Sequence, residues 1–219
     1  MIRIVPSILT NNLDKAKDLI GLCEGVVDMV SIDIIDGTFA DNKTIRPVDL
    51  KGIKTDLLLD FQLMVNEPID WVEECAGVDA YRIIGHVEKM SSQKKFIDKV
   101  KEQDIKVGLA LDLKTPVAEI ENDTLKELDA ALIMSVPAGF GGQEFDQKAL
   151  KKIEQLRDIK QNLELGFVIH DDGGVTLENV DDTHFIGAGE VSVGRRIFKG
   201  DLHQNLLRYQ KAAHVLEMK

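Results

Sequence analysis

Eight β-like runs recur along the chain: "IRIVPSI", "VDMVSIDI", "LLLDFQLMV", "DAYRIIGHV", "KVGLALDL", "AALIMSV", "LGFVIHD" and "GEVSVG". Between them lie segments such as "NNLDKAKDLIGLCEG", "SSQKKFIDKVKEQ" and "QKALKKIEQLRDIKQ", whose Leu, Ile and Val recur three or four apart with charges between, the period of an amphipathic helix. Strand and helix therefore alternate, and that order demands parallel strands joined by crossover helices. Eight such units in 219 residues point to a (β/α)8 barrel over an open doubly wound sheet. Similar pieces, "GVVDMV", "AGVDAY" and "GAGEVS", lead into several strands, as stacked equivalent units would have it. Two domains would fit the length as well, but no Ser/Gly-rich or low-complexity linker separates them and there are only 5 prolines. One α/β barrel domain over residues 1–219 is the expectation.

Composition narrows the function. A net charge of −11 argues against nucleic-acid binding, which needs a basic surface to release counterions. Cys23 and Cys75 lie far apart in helix-like segments without metal-ligand spacing, which suits two buried thiols in a reducing compartment. The N-terminus "MIRIVPSILTNN" turns polar after a few apolar residues, and no apolar run reaches the ~18 residues of a membrane helix. These features predict a soluble, cytoplasmic protein with no membrane partner.

In a barrel the chemistry belongs at the C-terminal ends of the strands. Polar residues gather there: Asp33 and Asp36 close the second run, Gln62 and Met64 the third, His86 the fourth, Asp112 the fifth, and His170 and Asp172 the seventh. In "VSIDIIDGTF" period-2 alternation puts Ser31 and Asp33 on one face, so an acid stands where a core residue is expected. Either backbone amides satisfy it or it works. Three glycine turns follow adjacent strands: "GFGGQ" (Gly139 to Gln143) the sixth, "DDGG" (Asp171 to Gly174) the seventh and "VGRR" (Val193 to Arg196) the eighth. Glycine lets backbone N–H groups approach an anion, and a helix N-terminus after each turn adds partial positive charge. Together they describe a phosphate cup, to which Arg195 can add a guanidinium.

The motifs "VPSILT", "SIDIIDGTFADN", "LMVNEP", "VGLALDLKTP", "IMSVPAGFGGQ", "DDGGV" and "VGRRIF" resemble, in order and over nearly the whole chain, those of ribulose-phosphate 3-epimerases. The resemblance implies an isomerase of carbohydrate metabolism that inverts C3 of a ketose phosphate, by default ribulose 5-phosphate to xylulose 5-phosphate. It implies two aspartates on opposite faces of the carbon and a divalent metal that steadies the enediolate. Carried over by motif, the acid/base pair is Asp33 and Asp172. Ser7, Met64, His86 and Met134 border the sugar, and Gly139, Gly141, Gly142, Gly173, Gly174, Gly194 and Arg195 hold the phosphate. A phosphorylated sugar is the implied partner, and the chain is expected to form a homo-oligomer.

This sequence departs from the family at the metal. The family holds it with His-x-Asp, a His before "LMV" and the Asp of "DGG"; here the four positions read Ser31, Asp33, Gln62 and Asp172. Two carboxylates and an amide make no ordinary zinc site and suit at most a weakly held hard ion such as Mg²⁺ or Mn²⁺. His170 is either a substitute ligand or a hydrogen-bonded barrel histidine. Asp112 replaces the usual Asn, and Pro137-Ala138 the usual Asn-Pro, where the family borders its substrate. Related phosphosugar decarboxylases carry Asp-x-Lys-x-x-Asp; Ser31-x-Asp33-x-x-Asp36 lacks the lysine and argues against that reaction. Two alternatives stay open: an epimerase or isomerase for another phosphosugar with a weak metal or none, and a non-catalytic sugar-phosphate-binding homologue.

Overall fold

The computed structural model describes residues 2–214, and in it all eight runs are strands. They are β1 (Arg3–Ile8), β2 (Met29–Ile35), β3 (Leu58–Met64), β4 (Ala80–His86), β5 (Lys106–Leu111), β6 (Ala130–Met134), β7 (Val168–Asp172) and β8 (Glu190–Val193). Each pairs in parallel with its neighbour in sequence, and β8 closes on β1, giving the α/β barrel that the alternation predicts.

The helices form where the periodicity places them. These are α1 (Leu13–Cys23), α2 (Val72–Ala76), α3 (Gln93–Lys101), α4 (Asn122–Leu125), α5 (Lys148–Asn162), α6 (Val180–Ile186) and α7 (Leu202–Ala212). Side chains of Asn12, Ser92 and Asp201 cap α1, α3 and α7 by accepting the N–H of Lys15, Lys95 and Gln204. In α3 the buried residues Gln93, Phe96, Ile97 and Val100 fall on one face, three or four apart, and cover the outside of the barrel. The β2 to β3 crossover carries a short 3₁₀ turn, Pro47–Leu50, in place of an α-helix. Cys23 and Cys75 are buried free thiols in α1 and α2, and burial pushes Cys23 up to about 12. No described helix is long and apolar enough to cross a membrane.

Alternation along the strands sends every second side chain into the barrel. Its N-terminal layer is ionic. Arg82 (β4) makes two bonds to Asp60 (β3), Nε at 3.0 Å and Nη2 at 2.6 Å, and reaches Glu190 (β8) at 2.7 Å. Arg3 closes on the other Glu190 oxygen at 3.0 Å. His170 belongs to this layer: Arg82 Nη2 lies 3.3 Å from Nδ1 and Ser192 Oγ 2.9 Å from Nε2. It is the hydrogen-bonded barrel histidine, and the alternative of a substitute metal ligand is set aside because both ring nitrogens are engaged. Burial, offset by Glu190 and reinforced by Arg82, lowers its pKa and keeps the ring neutral. Ile84, Ala110, Ala130, Leu132, Met134 and Val136 form a small apolar cluster of their own, and its Met134 and Val136 reach the C-terminal end.

Candidate active site

At the C-terminal ends of the strands the barrel opens into a cavity of about 650 Å³. Ser7, Asp33, Met64, Met134, Asp172 and Ser192 line it from six different strands. The loops after β2 and β6, on opposite sides of the barrel, meet across the mouth: Asn42 Nδ2 donates to the Gly139 carbonyl at 2.8 Å. Ala40 packs so closely there that a Cβ on residue 139 would overlap it. On the β3 to β5 side of this strap Gln62 and His86 are sealed from solvent; on the β6, β7, β8 and β1 side the cavity stays open.

The glycine turns converge on the open side. Gly139, Gly141, Gly142, Gly173, Gly174, Gly194 and Arg195 all line the cavity, as the three motifs predict. Gly173 has φ +122°, and a Cβ on it would stand 2.7 Å from Val136 Cγ2 and 2.9 Å from Val136 N, so the second turn can nest against the first only as glycine. The Arg195 side chain lies over Gly142, in the space a side chain there would fill. Lys15, Lys43, Arg196 and Lys199 join the same wall. Arg196 closes the "VGRR" turn, but Lys15, Lys43 and Lys199 lie outside every quoted motif, and only a count of cations after strands β1, β2 and β8 could have found them in the sequence.

Asp33 and Asp172 enter from β2 and β7. Ser7 Oγ donates to Asp33 Oδ2 at 2.9 Å, while Asp33 Oδ1 is buried without a partner. Burial first, then the charge of Asp172, hold the Asp33 carboxyl well above the usual carboxylate range. Burial pushes Asp172 up to about 6, against the opposing pull of His86 and of a hydrogen bond from Gln62. Burial and mutual repulsion thus hold a proton more firmly on this pair than on free carboxylates. Asp36, the other acid of the motif, acts locally, and its oxygens accept the N–H groups of Thr38, Phe39 and Asn66 and pin the turn.

Of the four residues implied to border the sugar, Ser7, Met64 and Met134 reach the cavity and His86 does not. His86 is fully buried, with Nδ1 3.2 Å from Glu88 Oε2 and Nε2 3.1 Å from Gln62 Nε2. Burial raises the Glu88 pKa, but the hydrogen bond from His86, joined by those from Thr115 and the Asp112 N–H, outweighs it and brings it to about 2. Asp112 also turns from the cavity: Oδ1 accepts the Ala138 N–H at 2.7 Å and the carbonyl accepts from Lys152 Nζ at 2.6 Å, so it fixes the loop after β6.

The residues at the family's metal positions do not fit a divalent ion. No three His, Cys, Asp or Glu side chains among the described residues form a metal-binding group. Ser31 is buried on β2 outside the cavity lining, and Gln62 turns its amide nitrogen toward His86, Met134 and Asp172. Zinc prefers nitrogen and sulfur ligands, and Mg²⁺ or Mn²⁺ held by few protein oxygens keeps several waters. The oxygens left over, Asp33 Oδ1 and Gln62 Oε1, are both buried.

Residues 3–198 match the "Ribulose-phosphate 3 epimerase family". Ribulose-phosphate 3-epimerase of Bacillus subtilis (strain 168) is 33% identical over 204 residues, covering 90% of this chain and 93% of that protein. The chloroplastic ribulose-5-phosphate-3-epimerase of Arabidopsis thaliana is 32% identical, over 96% and 76%. Among solved structures, 3-keto-L-gulonate-6-phosphate decarboxylase of Vibrio cholerae superposes with a TM-score of 0.68 at 14% identity, over 97% of each chain. Phosphoribosyl anthranilate isomerase of Thermotoga maritima does so at 0.63 and 19%, over 97% and 98%. At such identities these two share the fold alone. With the family match spanning nearly every strand and turn that builds this cavity, the chain belongs to the ribulose-phosphate 3-epimerase family.

Proposed function

We propose that this protein epimerises a ketose phosphate at C3, with ribulose 5-phosphate and xylulose 5-phosphate as the default pair. The observation that carries the reading is geometric: two buried carboxyls, Asp33 on β2 and Asp172 on β7, line one cavity together with three glycine turns. Phosphate in the cup of Gly142, Gly173, Gly174 and Gly194 anchors one end of the sugar. Ionised Asp172 removes the C3 proton; the C–H electron pair forms C2=C3 and the carbonyl pair moves onto O2. Protonated Asp33 then delivers its proton to C3 from the other face and the O2 pair re-forms the carbonyl. The two acids end with exchanged protonation states, ready for the reverse reaction. Each must differ from its partner by one proton, and burial beside a second carboxylate supplies that difference.

Deuterium wash-in at C3 in D₂O, tested on a panel of ketose phosphates, checks this. Ribulose 5-phosphate should exchange its C3 hydrogen. No exchange with any member of the panel sinks the reading.

A further inference from the structure

We propose that the Gln62 carboxamide takes the place of a metal ion in this site: Nε2–H binds the ketose C2 oxygen and Oε1 accepts the C3 hydroxyl, with His86 and Glu88 as positioning residues. This rests on the epimerase reading and names its electrophile.

The orientation of the amide follows from its neighbours. Ionised Glu88 accepts from His86 Nδ1 at 3.2 Å and is itself anchored by the Asp112 N–H at 2.6 Å. With the proton on Nδ1, His86 Nε2 is an acceptor, and Gln62 Nε2 donates to it at 3.1 Å. The same nitrogen faces two further acceptors, Met134 Sδ at 3.0 Å and the Asp172 carboxylate. An amide oxygen could bond neither the thioether nor the carboxylate, so these two hold the side chain one way round. Its oxygen is consequently buried with no partner, a costly arrangement that a hydroxyl donor would relieve.

An α-hydroxyketone offers that donor beside an acceptor. O3–H and O2 sit on adjacent carbons, and a primary amide matches them with C=O and N–H in two parallel hydrogen bonds. Reaching them requires Met134 to move aside and one N–H to turn from the Asp172 carboxylate to O2, while the other stays on His86. The Met134 thioether is a weak acceptor on a flexible, unbranched side chain that already lines the cavity, so it yields readily. Asp33 pairs in register with Gln62 across β2 and β3, and its Oδ1 is likewise buried without a partner. When Asp172 takes the C3 proton, negative charge grows on O2 and the Nε2–H···O2 bond strengthens, which is the work a metal would otherwise do. When Asp33 returns a proton to C3 the charge leaves O2 and the amide keeps all its protons.

The test combines C3 exchange of ribulose 5-phosphate with the infrared carbonyl stretch of bound 2-¹³C ribulose 5-phosphate. Protein dialysed against EDTA should keep its exchange rate within about twofold, and the bound carbonyl should absorb at lower frequency than in solution. Gln62→Met, close in size but without an N–H donor, should lose about 10²- to 10³-fold in exchange and the frequency shift together. If it does not fold, Gln62→Leu carries the same test. His86→Phe, which frees the amide to rotate, should lower kcat with little change in KM. Loss of exchange on chelation with recovery in Mn²⁺ or Zn²⁺, or wild-type exchange in the Gln62 variants, overturns the amide. A Gln62-dependent carbonyl shift in a wild-type protein that exchanges nothing would end the epimerase reading and leave the amide standing; absence of both ends both.

Discussion

At the scale of single residues the proposed chemistry rests on two acids, Asp33 and Asp172. Asp33→Asn and Asp172→Asn should each abolish net epimerisation, because inversion cannot finish with one face unserved; one of them should retain C3 exchange on the face whose base remains. Equal retention of epimerisation in either variant contradicts the two-base pairing. The pH profile should be a bell: activity falls as pH drops through about 6, where Asp172 gains a proton, and falls again at high pH as Asp33 loses its own. Asp171 offers a stability counterpart outside the reaction. Burial pushes it up to about 8, against the bond from Ser135 Oγ, and its Oδ2 has no partner. Because its folded pKa is raised, the folded chain binds the extra proton between the unfolded carboxylate range and about 8. Its contribution is thus complete below the unfolded pKa and is lost as pH rises, at up to ~1.4 kcal/mol per pH unit. Asp171→Asn should flatten that decline, as urea unfolding at pH 5 and pH 8 would show; an unchanged slope rejects it.

At the scale of elements, the strands hold one polar layer for structure and another for the reaction. The floor of Asp60, Arg82 and Glu190 ties β3, β4 and β8 together, with Arg3 adding β1. Arg82→Met would leave two carboxylates buried beside an apolar side chain, which costs about 3–5 kcal/mol when a buried pair is broken. Denaturant unfolding should report a loss of that order, and a loss below ~1 kcal/mol would show that the floor relaxes freely. The strap between the loops after β2 and β6 is the second element-level device. It shields Gln62 and His86 and leaves the phosphate turns open, so one rim of the same barrel is dry and the other wet.

Over the whole molecule the charge distribution is uneven. A chain of net charge −11 places Lys15, Lys43, Arg195, Arg196 and Lys199 around the mouth of one cavity. Lys15, Lys43, Arg195 and Lys199 form no ion pair with any described residue. Such a local positive field in an acidic surround draws a phosphate dianion and is screened by salt over about a Debye length. kcat/KM should fall by roughly tenfold between low and high ionic strength, and Lys15→Ala with Lys43→Ala should flatten the dependence. A salt-independent kcat/KM would leave the collar without this role.

The barrel was legible in the sequence because strand and helix periods differ and each of the eight units shows both. The glycine turns at the cavity were legible because glycine is the residue that such close backbone approach requires, and the buried Asp33 because a carboxylate in an apolar run is conspicuous. What the sequence left open was which polar residues belong together. His170 and Asp172 share a strand face two residues apart, yet one completes the ionic floor and the other the cavity wall, since a strand rises through several layers of the barrel interior. His86 matches a family histidine and Asp112 replaces the family's usual Asn, but both turn away from the cavity toward partners 24 to 26 residues distant. The orientation of Gln62 depends on side chains from β4, β6 and β7 at once. Local pattern determines the elements because it acts through neighbours in the chain; burial, proton sharing and the direction of an amide are set by neighbours in space, and only closure of the barrel brings those together.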